Sequence, residues 1–316
     1  MTTTDPPSIQ RIEEFLAHRH RRTITDLAPL DGGFWSTAYS YSVENEGFVL
    51  RLASSGDGFE MDRAAHRFTC DGLPIPEVLE VGEGLGRWFA ISRRANGRFL
   101  EDITIRDAAA AGPTIDSLLS SLRAAATGTA VDWFGGHGGS WREWLERALV
   151  DDPASTVSGW RPKIADDPEL DALYRRAEAK IIELLQHCPE RRDLVHGDLL
   201  HQNVLVSEDA SHVNAVFSWK CSVLGDHIYD VAWLSFWEPW HPGIRQLDAW
   251  TRTMSQPIEG DDLSAAALRH HCYELHIGVQ HLAWCSWTGN ASSLAGVALR
   301  TAHVLERGPR AMHELL

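Results

Sequence analysis

The chain has 316 residues, 44% of them hydrophobic and 23% charged, with a formal net charge of −15. That length can bury a substantial core in one large domain or two lobes, and the composition is ordinary for a soluble globular protein. The negative charge argues against nucleic-acid backbones and anionic membranes as partners and leaves room for a cationic or neutral polar ligand.

Cys70, Cys188, Cys221, Cys272 and Cys285 are scattered without CxxC spacing. This suits a reducing cytoplasm, the expected location. Met1 to Pro7 is polar and carries Pro6 and Pro7, unlike a signal peptide. No apolar run reaches the roughly 18 residues that a membrane span requires. No internal repeat or low-complexity tract is evident.

In chain order, a short amphipathic helix is expected over about Ile9 to His18, with Ile9, Ile12, Phe15 and Leu16 on one face. Gly32-Gly33 and an alternating strand, Phe34 to Val43, come next. Glu44-Asn45-Glu46-Gly47 reads as a hairpin turn before the return strand Phe48 to Leu52. A helix follows from Phe59 to Cys70, and the prolines of Leu73-Pro74-Ile75-Pro76 bar its continuation. Strands Glu77 to Val81 and Trp88 to Ser92 flank Gly82-Glu83-Gly84-Leu85-Gly86. Those glycines join strand to strand, not strand to helix, so they read as a turn and not as a nucleotide loop. Arg93 to Gly97 reads as a linker. Helices are expected over Thr104 to Thr127, Trp141 to Val150, Pro168 to His187, Asp226 to Trp237, Leu263 to Cys285 and Ser292 to Arg307. The division is a strand-rich N-terminal lobe over 1–95, with a five-stranded sheet, and a helical lobe over 96–316.

Leu194 to Asn203 has the His-x-Asp-x4-Asn form of a kinase catalytic loop, followed by the apolar strand Val204-Leu205-Val206. Asp198 would accept the proton of an attacking hydroxyl, and Asn203 would reach a magnesium ion bridging nucleotide phosphates. A kinase needs a second metal ligand, an Asp, on the next strand. That strand, Val213 to Lys220, carries Ser218 there.

Several segments together resemble the aminoglycoside phosphotransferase family, and within it the hygromycin B phosphotransferase branch. They are Asp57-Gly58-Phe59, Asp62-Arg63, Leu73 to Leu79, Ile91 to Ala95 with Gly97, Leu194 to Asn203, Gly225-Asp226, and Phe236-Trp237 with Pro239-Trp240. The resemblance implies an α+β, two-lobed protein-kinase-like fold with ATP or GTP and Mg2+ as cofactors. It places Gly32, Gly33 and Ser36 at the phosphate-covering hairpin, where glycine lets backbone N–H groups approach. It places Arg51 where many kinases keep lysine, with Asp62 as its acidic partner and Glu60 as a fallback. Arg93 and Ala95 would face the base, Asp198 would be the catalytic base, and His196 would brace the loop.

The chain departs from the family's pattern in its metal and acceptor residues. Ser218 is neutral where relatives carry Asp, and Lys220 could either pair with a phosphate or point to solvent. Met61 stands where relatives tend to carry lysine. Asp226, Trp237, Glu238, Trp240, His241, Glu274, Gln280 and Trp284 are the candidate acceptor residues, with Gln280 where relatives carry an acid. The aromatic enrichment, Trp287 included, suits a flat or apolar ligand or stacking on sugar rings, and serves equally as core. His270, His271, Cys272, His276 and His281 do not repeat on one helix face, so they read as packing and not as a zinc site.

The expected function is therefore nucleotide-dependent O-phosphotransfer to a hydroxyl of a small molecule, such as an aminoglycoside-like antibiotic or a secondary metabolite. The alternative is a kinase fold with a degenerate metal site, repurposed for another reaction such as a cyclisation or for ligand binding. A small molecule is the expected partner of a monomer or dimer.

Overall fold

The computed structural model describes residues 7–125, 139–255 and 263–310. The chain divides into two units. One comprises Met1–Glu101 with Leu200–Cys221, the other Asp102–Leu199 with Ser222–Leu316.

The first unit is built on a five-stranded antiparallel sheet of order β1-β2-β3-β5-β4. Helix α1 (Ile9–His20) begins at Ser8, whose side chain accepts from the Arg11 N–H. Ile12, Phe15 and Leu16 pack toward the sheet, while Ile9 is exposed instead of sharing that face. β1 (Thr25–Leu30) carries Asp26 and Pro29 and shows no clean alternation. β2 (Ser36–Val43) and β3 (Glu46–Ala53) pair from Ser36↔Ala53 to Val43↔Glu46. Their turn is Glu44-Asn45, both at positive φ, two residues tighter at the far side than the sequence reading. α2 (Asp57–Ala65) is shorter than expected, because the chain tightens into a 3-10 turn at His66–Phe68. β4 (Val78–Gly84) and β5 (Arg87–Arg93) close on Leu85-Gly86, so Gly82 and Gly84 are strand residues. Tyr41, Leu50, Leu52 and Phe89 form the core beneath α1.

Residues 200–221 join this unit through hydrogen bonding. Strand Val204–Val206 pairs with Arg98–Phe99 on one side and with Val213–Val216 on the other. The Val216 N–H donates to the Pro74 carbonyl. The sequence division at residue 95 had assigned this segment to the helical lobe, because strand partners distant in sequence leave no local mark.

The second unit is helical. α3 (Ala108–Ala124), α4 (Trp141–Arg147), α5 (Arg161–Ala165) and α6 (Pro168–Leu184) come first. α7 (Ile228–Trp237), α8 (Pro242–Leu247), α9 (Ala249–Met254), α10 (Leu263–Thr288) and α11 (Ala291–Arg307) follow. The expected end of α3 at Thr127 lies outside the described residues, as does most of the Met1 to Pro7 segment. α10 packs on α6, α7 and α11, and its residues from Arg269 to Val279 are all buried. A small ladder of Asp193–Val195 and Val223–Gly225 carries the chain into the loop that holds His196 and Asp198. Among the described residues no helix is long and apolar enough to cross a membrane.

Candidate functional site

In the strand-rich unit, the glycine turn before β2 is conformationally committed. Gly32 has φ +100° and Gly33 φ +84°, a region that side chains with a Cβ rarely adopt. A Cβ on Gly32 would also collide with Gln202 Oε1, and one on Gly33 would stand 2.7 Å from the Ser36 carbonyl oxygen. Gln202 therefore lies on the turn, and its own N–H donates to the Glu101 carboxylate. His201 and Gln202 are both at positive φ, so the loop turns sharply before Asn203.

Arg51 on β3 pairs with Asp62 on α2 at 2.5 Å, so Asp62 and not Glu60 is its partner. Glu60 pairs with Arg63 on the surface. Both members of the Arg51–Asp62 pair are largely buried, and the Arg51 guanidinium stacks 5.1 Å from the Phe59 ring centroid. The other Asp62 oxygen accepts from the Trp219 N–H at 2.7 Å. One carboxylate thus ties β3, α2 and the segment beside Ser218 together, a link that no spacing in the sequence announces.

Asn203 is buried, and its carbonyl accepts from the Phe217 N–H. Ser218 stands at φ +70°, where Asp and Asn are more at ease than Ser. Lys220 is exposed, with its ammonium 4.0 Å from the centroid of the Trp35 ring. Arg93, at the end of β5, pairs with Glu46, and Ala95 follows it, half-buried.

A protein-held magnesium ion wants anionic oxygen donors. Asn203 and Ser218 offer neutral ones, and Lys220 adds positive charge two residues on. Among the described residues the group of acids and histidines placed to hold an ion is Asp193, Asp226 and His227, in the helical unit. The residues at 203 and 218 do not fit such an ion.

In the helical unit, the His196 and Gly197 N–H groups donate to the two Asp230 oxygens at 2.9 and 2.8 Å. The Asp198 N–H donates to His196 Nδ1 at 3.2 Å. His196 thus bonds within the loop, and the anchor beneath it is Asp230, the one acid in the buried helix α7. Burial, partly offset by the two backbone donors and reinforced by the Asp198 charge, pushes the Asp230 carboxyl up to about 7. Asp198 itself is half-buried.

The candidate acceptor residues divide. Asp226 is fully buried, accepts from the Tyr273 hydroxyl at 2.9 Å and pairs with Arg269 at 2.9 Å. Glu274 is also fully buried, between Arg307 at 2.5 Å, His270 at 3.2 Å and Arg300 at 3.3 Å. Burial would raise its pKa, but His270 and the arginines outweigh that and hold the carboxylate charged. Glu238 pairs with Arg310 and Arg300, and burial nevertheless pushes its pKa up. All three acids are engaged by arginines, Asp226 and Glu274 fully buried and Glu238 partly so. Of the aromatic candidates Trp237 is buried, and the others reach the surface. Trp240 is exposed, with Trp237 at 5.1 Å, and His241, Gln280, Trp284 and Trp287 are half-exposed. His276 is a core residue that hydrogen-bonds Tyr229 Oη and the Leu145 carbonyl, and burial lowers its pKa to about 3.

The sequence model of the phosphotransferase enzyme family matches residues 26–262. The hygromycin-B 4-O-kinase of Escherichia coli is 30% identical over 306 residues, covering 94% of this chain and 85% of that protein. A crystal structure of a thermostable mutant of aminoglycoside phosphotransferase APH(4)-Ia, in ternary complex with AMP-PNP and hygromycin B, superposes with a TM-score of 0.79. It is 29% identical and covers 93% of this chain and 98% of that one. Spectinomycin phosphotransferase APH(9)-Ia, in complex with ADP and spectinomycin, shares the fold at a TM-score of 0.61 and 15% identity, over 96% of this chain and 98% of that one. With its five-stranded antiparallel unit, its helical unit and a His196-Gly197-Asp198 loop anchored on α7, the chain has the kinase-like fold and belongs to the aminoglycoside phosphotransferase branch of the phosphotransferase enzyme family.

Proposed function

We propose that the protein transfers the γ-phosphoryl group of ATP or GTP to a hydroxyl of a small molecule, an aminoglycoside-like antibiotic or a related secondary metabolite. The observation that carries this reading is the catalytic loop. Asp198 is fixed by its own N–H on His196, and the two preceding backbone groups are fixed on Asp230. Asp198 takes the acceptor hydroxyl's proton as the acceptor oxygen bonds to the γ-phosphorus and the bond to the β,γ-bridging oxygen breaks, releasing the nucleoside diphosphate. Gly32 and Gly33 present backbone N–H groups to the phosphates, and Arg51, oriented by Asp62, faces the same tail.

The similarity to a hygromycin-B kinase supports an antibiotic acceptor, as do the exposed Trp240 and the half-exposed Trp284 and Trp287, whose rings can stack on sugars. Five scattered cysteines without CxxC spacing support a cytoplasmic setting. The repurposed reading draws on Ser218, Lys220 and Gln280, and the retained Asp198 loop favours phosphotransfer over it. Radiolabelled ATP with a panel of aminoglycosides tests the proposal. Asp198→Asn should abolish product, losing about three orders of magnitude or more through the lost base and loop positioning. Equal turnover by that variant would end the assignment.

A further inference from the structure

Resting on the phosphotransfer reading, we propose that Lys220 is the cation that binds the β- and γ-phosphates of the nucleotide, taking the place of a protein-held metal ion. The argument lies within the strand-rich unit. Position 218 supplies a neutral hydroxyl and Asn203 a neutral amide, a donor set that does not hold a hard divalent cation. A nucleotide tail carrying several negative charges, on a chain of net charge −15, still requires a cation at the glycine turn.

Arg51 has its charge committed to Asp62. Lys220 does not: among the described residues it makes no ion pair, and its ammonium rests on the Trp35 ring. Trp35 is two residues from Gly33, so the ammonium is parked on the hairpin that would cover the phosphates. The aliphatic stem lies along the start of α2, where a Cβ on Gly58 would stand 3.6 Å from Lys220 Cδ. A cation over an exposed ring is weakly held and is free to move to phosphate oxygens.

Residue choice points the same way. Of the 29 basic Lys and Arg side chains, the lysines are Lys163, Lys180 and Lys220, and the rest are arginine. Lys163 donates to the Trp287 carbonyl and Lys180 pairs with Glu183. Lysine is a compact point charge on a flexible stem, suited to following a phosphate, whereas a planar guanidinium is not. Ser218 at φ +70° holds a backbone form that an Asp would tolerate, so a carboxylate can be introduced there without reshaping the backbone.

Titration calorimetry of the full chain with ATP, in excess EDTA and in excess magnesium, tests this. The parent should bind ATP in EDTA within about threefold of its affinity with magnesium, a difference of less than one charge-assisted bond. Lys220→Met should weaken ATP by about tenfold to a hundredfold, the worth of such a bond, while adenosine binding and the thermal midpoint stay unchanged. Ser218→Asp should make ATP binding magnesium-dependent and insensitive to Lys220→Met. ATP binding that collapses in EDTA, together with an unaffected Lys220→Met, would overturn the proposal and leave phosphotransfer standing. Absence of nucleotide binding in both conditions would overturn both.

Discussion

Asp62 makes the sharpest stability prediction. Its two oxygens serve different partners, the Arg51 guanidinium at 2.5 Å and the Trp219 N–H at 2.7 Å. Asp62→Ala removes both. Breaking a buried pair by deleting one partner costs about 3–5 kcal/mol, and an orphaned buried N–H costs about 1–3 kcal/mol more. Arg51 keeps some access to water, its side chain being 18% exposed, so the low end applies, about 4–5 kcal/mol in all. Asp62→Asn keeps an acceptor for Trp219 and loses only the pairing, about 3 kcal/mol. For a protein of this size each kcal/mol moves Tm by roughly 2–4 °C, so calorimetry separates the two variants. Replacing Arg51 and Asp62 together by Met and Leu should be milder than Asp62→Ala alone, since no buried charge is stranded. If Asp62→Ala cost under about 1 kcal/mol, or if Ala and Asn behaved alike, the three-way junction would have no energetic reality.

Other outcomes follow from the same geometry. Gly33→Ala should impair nucleotide binding and stability more than Gly32→Ala. Its Cβ would meet the Ser36 backbone, whereas the obstacle at Gly32 is the movable end of Gln202; ATP titration of both variants reads the order. The Asp230 carboxyl is raised from 3.8 to about 7 in the folded protein, so the native state binds the extra proton between those values. Its contribution to stability is present at low pH and declines as pH rises through that window, by up to about 4 kcal/mol. Urea midpoints at about pH 5 and pH 8 should therefore fall further for the parent than for Asp230→Asn. Glu274→Gln should lower Tm through stranded Arg300 and Arg307, at a cost of about 3–5 kcal/mol. The KM for the acceptor should stay unchanged in the folded fraction; a raised KM at unchanged Tm would place Glu274 in the acceptor site after all.

The candidate loop was visible in the sequence because the chemistry proposed for it fixes a short spacing, Asp198 to Asn203, that needs no partner in view. The Arg51–Asp62 pair was legible for a similar reason, one residue on a strand and one on the helix after it. Asp230 was not. A single acid inside Ile228–Trp237 gives no periodic signal, and its partners are backbone N–H groups, which every sequence has. The ion pairs of Glu238 and Glu274 were not legible either, because a sequence shows acids but not the arginines that fold onto them. β1 escaped notice because Asp26 and Pro29 break the alternation that marks a strand.

The buried Glu274 bears on how the chain is made. Its counter-charges, Arg300, Arg307 and Arg310, are translated after it and after the whole catalytic loop. While the ribosome has delivered only as far as α10, Glu274 has His270 on its own helix as a partner but none of the arginines that complete its burial. The helical unit is therefore expected to close only once α11 emerges. A chain stopped just short of Arg300 should remain protease-sensitive even though every residue of the loop has been synthesised.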